Sequence, residues 1–116
     1  MSLKAEKRHG LQSGIDLKQL KLEISPRALD QLDDIQIELE EARLGRSVKF
    51  IEKLRKCGEL LLLFPEMGVP KDGLRAGVRS IFVWEYVLLY EITEDLIWVL
   101  AVLHGARDIE SLFPEL

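Results

Sequence analysis

The sequence predicts an α+β domain: an N-terminal strand, an antiparallel helical hairpin packed on an antiparallel sheet, a three-stranded C-terminal meander completing that sheet, and a short C-terminal helix. Three observations predict it. Apolar residues recur every three to four positions from Pro26 to Leu63, they alternate or run together from Val78 to Leu103, and turn residues separate those stretches. With 116 residues, 47% of them hydrophobic, the chain can build one modest core and not two.

Residues 1–19 are polar, contain Gly10 and Gly14, and show little periodicity beyond Leu11, Ile15 and Leu17. They read as a flexible leader, in part of the kind an expression vector adds. The folded domain is assigned to residues 20–116. It opens at Leu20-Lys21-Leu22-Glu23-Ile24, where apolar and polar residues alternate as in a strand with one buried face.

Ser25-Pro26 reads as a helix start, since a serine oxygen can accept from a free backbone N–H and proline is tolerated at the first helical position. Leu29, Leu32, Ile35 or Gln36, Leu39 and Ala42 then form an apolar face, with Asp30, Asp33, Asp34, Glu38 and Glu41 on the other side. Gly45 suits the C-terminal cap. A second helix from about Arg46 places Phe50, Ile51, Leu54, Cys57, Gly58 and Leu61 on its inner face, until Pro65 stops it. So short a connection makes the two helices antiparallel neighbours.

Pro65 to Gly68 and Pro70 to Gly73 read as loop. Val78 to Val83, Tyr86 to Ile92 and Leu96 to Leu103 are rich in Val, Ile, Tyr and Trp, and turns at Trp84-Glu85 and Thr93-Glu94-Asp95 separate them. The last of these strands is apolar on both faces, which places it centrally in the sheet.

Composition narrows the function classes. One cysteine, Cys57, cannot form an internal disulfide, and His9 and His104 alone supply no metal-ligand cluster, so neither a metal nor a cofactor is expected. No apolar stretch approaches the length of a membrane span, and the expected location is the cytoplasm. The net charge of -4 argues against a general nucleic-acid binder, yet it is unevenly spread. Ser25 to Leu44 carries six acids against two bases, Gly45 to Leu63 five bases against two acids, and Phe64 to Leu116 four bases against nine acids.

Several pieces also occur in an order that resembles the ParE and RelE toxin superfamily of type II toxin-antitoxin systems, across Leu22 to Phe113. They are Ser25-Pro26 with Ala28 and Leu29, Leu63-Phe64-Pro65-Glu66-Met67-Gly68, Leu74-Arg75, Val78-Arg79-Ser80, Tyr86-Val87-Leu88-Leu89-Tyr90, and Val102-Leu103-His104-Gly105-Ala106-Arg107-Asp108. The resemblance implies a toxin neutralised by a cognate ParD-like antitoxin. The antitoxin's disordered tail would fold onto the toxin as an amphipathic helix and extended segment, giving a hetero-oligomer with no membrane partner. RelE-like members cut messenger RNA on the ribosome, whereas ParE-like members are expected to inhibit DNA gyrase without catalysis. This chain is more similar to the ParE branch. Val87 stands where the ribonuclease branch usually carries arginine, and Phe113 about where it carries tyrosine, so charge stabilisation and proton transfer around a phosphate lack two of their groups.

The resemblance implies Arg75, Arg79, Trp84, His104, Arg107 and Asp108 as target-binding candidates, and no catalytic residue. Four of them have a structural reading beside the functional one. Arg79 can cover a sheet edge or pair with an acid such as Glu91, and Trp84 can pack or present itself in its tight turn. His104 can be a satisfied group at a strand end, and Asp108 can favour a helix dipole. The stripe of Arg46, Lys49, Lys53 and Lys56 is expected to pair with the acids of the first helix, or else to meet an acidic antitoxin or nucleic acid. Two further functions stay open: a ribosome-dependent endonuclease using Arg75, Arg79, His104 and Arg107, and a homologue that only binds antitoxin.

Overall fold

A computed structural model of the chain describes Leu3–Lys4 and residues 20–105; the rest of the expected leader and the expected C-terminal helix lie outside the described residues. The elements are β1 (Leu3–Lys4), β2 (Lys21–Ile24), α1 (Pro26–Ala42), α2 (Arg46–Leu63), β3 (Val69–Pro70), β4 (Val78–Val83), β5 (Tyr86–Ile92) and β6 (Leu96–His104). Both helices, the N-terminal strand and the meander stand where periodicity placed them. Two short strands do not follow from it: β1, inside the stretch read as a leader, pairs with β2, and β3, in the stretch read as loop, pairs with β4.

The sheet order is β1-β2-β6-β5-β4-β3, so β6 is central, as its apolar run requires. The sheet is mixed rather than antiparallel, because β2 pairs with β6 in parallel, Leu22 opposite Ile97 and Ile24 opposite Val99. The reason lies in the direction of α1. Ser25 N–H donates to Val99 O (3.0 Å), and farther along α1 the Gln31 side chain accepts from Val102 N–H (2.9 Å), so α1 advances along β6 rather than doubling back. The chain then reverses at the helical hairpin and again before β4. That gives β4 the sense of β2, and the meander's two turns restore it in β6.

Ser25 fills the role its type suggests and a second one as well. Its Oγ accepts from Ala28 N–H (3.1 Å), capping α1, and donates to Leu100 O (3.0 Å). Leu100 is an extra residue in β6: Tyr90 opposes Val99 and Leu89 opposes Ala101, so the ladder bulges there and the cap satisfies its displaced carbonyl. Gly45, expected to end α1, instead stands just before α2 in the left-handed region (φ 85). It has no side chain to cap α2, and Glu40 does so from the preceding helix. The Glu40 carboxylate accepts from Gly45 N–H (2.8 Å), Ser47 N–H (3.2 Å) and Ser47 Oγ (2.7 Å). These bonds, the one from Gly45 foremost, hold its carboxyl below the usual carboxylate range.

The main core lies between the helices and one face of the sheet, around Phe50, Leu61, Tyr90 and Ile97. Each such side chain contributes about 1.5–3 kcal/mol by leaving water. A smaller cluster of Val78, Val87, Leu89 and Ala101 lies on the opposite face, and those four are equally buried. No helix among the described residues is long and apolar enough to cross a membrane.

Candidate functional site

The four candidate residues that lie among the described ones do not converge on one site. Arg75 and Arg79 lie toward the loop end of the sheet, on opposite faces. Trp84 and His104 lie at the β4–β5 hairpin end, and Arg107 and Asp108 lie outside the described residues, as does Phe113.

At the loop end both arginines are engaged. Arg75 Nη2 reaches Glu91 Oε1 at 3.0 Å. Glu91, named from sequence as a partner for Arg79, is thus taken by Arg75. Arg79 instead donates through Nη1 to Glu66 O (3.0 Å) and Gly68 O (2.8 Å). Tyr90, directly across the ladder from Arg79, grips the same loop. Its hydroxyl accepts from Gly68 N–H (3.0 Å) and donates to Pro65 O (2.7 Å). Gly68 must be glycine, since a Cβ there would stand 2.6 Å from Tyr90 Oη and 2.9 Å from Ser80 O. The Pro65-Glu66-Met67-Gly68 motif is therefore a clamped connection between α2 and the sheet, and Arg79 and Tyr90 are its clamp. Burial, more than any charge, raises the Tyr90 hydroxyl above its ordinary pKa.

At the hairpin end the residues stack. Trp84 turns the chain with a positive φ of 58, a conformation unusual for a bulky side chain. Its ring lies 5.5 Å from that of Phe50, and the Arg46 guanidinium sits 4.3 Å above it. Phe50 in turn meets Tyr86 edge-on at 5.2 Å, and Tyr86 meets the His104 ring at 5.4 Å. Gly105 N–H donates to Glu85 O (2.8 Å) and closes this end. Burial raises the Tyr86 pKa, the charges of Glu85 and Glu38 raise it further, and Arg46 opposes them. Sequence reading chose Trp84 and His104 but saw Phe50 only as core and Arg46 only as part of a basic stripe. Their contact with a turn some forty residues away has no local signal.

The expected pairing between the helices is not what the structure has. Among the described residues Lys49, Lys53 and Lys56 form no salt bridge with the acids of α1; the ion pair within the helices is Arg55–Glu59 at 2.8 Å. The apolar faces of α1 and α2 also do not close on each other fully. Leu29 is 49% exposed and Ile51 36%. They line a groove of about 300 Å³ floored by Leu22, Leu88, Val99 and Val102, with Asp33 and Arg55 at its lip. A sequence pattern cannot distinguish such a groove from core, because both ask for the same apolar stripe.

The helical hairpin thus lies on one face of a mixed sheet whose central strand, β6, ends beside the aromatic turn at Trp84. The family described as "ParE toxin of type II toxin-antitoxin system, parDE" matches residues 22–109, and the chain belongs to that family. A solved structure titled "Chromosomal ParDE TA system from P. aeruginosa" superposes with a TM-score of 0.62 at 16% identity, covering 72% of this chain and 92% of that one. No curated protein sequence matches.

Proposed function

We propose that this chain is a non-catalytic toxin that inhibits DNA gyrase and is neutralised by a ParD-like antitoxin in a hetero-oligomer. The observation that carries the choice of gyrase over RNA cleavage is Val87. It is 1% exposed and packed with Val78, Leu89 and Ala101 on the sheet face away from the helices. Where the ribonuclease branch offers arginine to a phosphate, this face offers buried methyl groups. Neutralisation is supported by the groove between α1 and α2, whose size and apolar lining suit side chains on one face of an amphipathic antitoxin helix.

Trp84 and His104 at the hairpin end, with Arg107 and Asp108 next in the chain, are the proposed target contact. Arg75 and Arg79 are assigned to the scaffold, since their guanidinium groups are already bonded within the chain. Induction without the antitoxin should stop DNA synthesis, and the purified chain should block supercoiling by gyrase in vitro. If supercoiling continues while transcripts are cut at ribosomes, the gyrase reading fails. No growth effect at all would favour a homologue that only binds antitoxin.

A further inference from the structure

The β4–β5 turn carries a side chain that the turn itself does not need. Val83 and Tyr86 pair across it, so Trp84 and Glu85 are its two residues. Trp84 has a φ of 58, and among the described residues no other non-glycine has a positive φ. A positive φ at the first turn residue alone is the type II′ pattern, in which glycine is the ordinary occupant. Tryptophan there strains the backbone, and strain of this kind persists only where the surroundings hold the residue in place.

Two groups hold the ring, Phe50 at 5.5 Å and the Arg46 guanidinium at 4.3 Å. Phe50 is fully buried and fixed by the core. Arg46 is not explained by its own helix. It is the first residue of α2, where the macrodipole disfavours a cation, and among the described residues it forms no salt bridge. Its backbone is nonetheless pinned on both sides, since the Glu40 carboxylate accepts from Gly45 N–H and from Ser47 N–H. A flat, weakly hydrated and permanently charged guanidinium on so fixed a base suits the face of an indole. Trp84 is only partly buried, which leaves part of its ring accessible.

We propose that Arg46 is the positioning residue of the hairpin-end target contact. Its guanidinium holds the Trp84 ring against Phe50, so the chain meets its target with the ring already placed and loses less freedom on binding. Arg46 acts through Trp84 and does not itself touch the target. The inference rests on the assignment of Trp84 to that contact.

The test uses the full chain in a Trp98→Phe background, which leaves Trp84 as its one tryptophan. Arg46→Gln should make the ring more open to quenching by acrylamide and lower its fluorescence anisotropy. At a temperature where melting shows both proteins folded, the concentration that half-inhibits supercoiling by gyrase should rise about two- to fivefold, the size of one exposed cation–π contact. Arg46→Lys keeps a cation over the ring and should recover at least half of both changes. Should Arg46→Gln not fold, Arg46→Lys must still show the two changes in step. Inhibition equal to the parent's with the ring loosened would overturn the proposal. So would lost inhibition with the ring's fluorescence unchanged, because Arg46 would then meet the target itself. Trp84→Ala separates this inference from the reading beneath it: inhibition at the parent's level would remove Trp84 from the target contact, and the role of Arg46 with it. A parent that arrests growth without touching gyrase overturns only the choice of gyrase, and the same variants are then ranked by growth inhibition.

Discussion

The two ends of the sheet are held by different forces. The hairpin end is a stack in which Arg46, Trp84, Phe50, Tyr86 and His104 touch through ring faces and edges. The loop end is a hydrogen-bond clamp in which Arg79 and Tyr90 hold the backbone of Pro65, Glu66 and Gly68. Packing is non-directional and tolerates a partner that replaces water on its outer face, whereas a clamp loses its bonds if the arginine turns toward a ligand. The proposed target contact at the hairpin end would rest on the first kind of force, whereas the loop-end arginines are already bonded within the chain.

Phe50→Ala should have the largest effect, because it removes a fully buried ring shared by Trp84 and Tyr86. Chemical denaturation should show a loss of about 3–5 kcal/mol. If the loss is under 1 kcal/mol, the hairpin end is not held by packing. Tyr90→Phe should cost about 1–3 kcal/mol, since it keeps the ring and leaves Gly68 N–H and Pro65 O without their partner. A neutral result would mean that the loop end holds by packing as well, and the contrast would collapse.

A smaller effect separates scaffold from target contact. Arg79→Ala gives up two bonds to carbonyls from a partly exposed guanidinium, for about 1 kcal/mol. Its growth inhibition on induction should fall only as far as its folded fraction falls. Trp84→Ala should lose growth inhibition beyond its loss of stability. The reverse ordering, with Arg79→Ala fully folded and inactive, would move the target contact to the loop end.

How much of this was legible in the sequence follows from the range of each interaction. Ser25-Pro26 announces a cap because the bond from Ala28 N–H lies three residues away. The meander strands β4, β5 and β6 announced themselves through β-branched and aromatic runs, whereas β1 and β3 did not. The parallel pairing of β2 with β6 did not, since it depends on α1 continuing in the direction of β2, which no local pattern encodes. Likewise Arg79 showed its charge in the sequence but not its partners, which lie eleven and thirteen residues away in a loop whose path is set by Tyr90. The family resemblance supplied the order of the pieces and could not say which of them were clamps.

The smallest effect tests the same contrast by titration. The chain has two tyrosines, one at each end of the sheet. Burial raises both hydroxyl pKa values, but their neighbours differ. Glu85 and Glu38 push Tyr86 further up, whereas the Gly68 N–H bond and Arg79 pull Tyr90 back. A raised acid pKa favours the neutral, folded form. Its contribution to stability is complete below the ordinary tyrosine value of about 10 and is lost as pH climbs through the folded values. Absorbance of tyrosinate in the folded chain should therefore appear only above about pH 10. Tyr86→Phe and Tyr90→Phe variants assign the two steps. Glu85→Gln should lower the Tyr86 step and leave Tyr90 in place, while Arg79→Ala should raise the Tyr90 step alone. If either substitution moves both steps together, the two ends are coupled through the sheet, and the division into an independent stack and clamp is wrong.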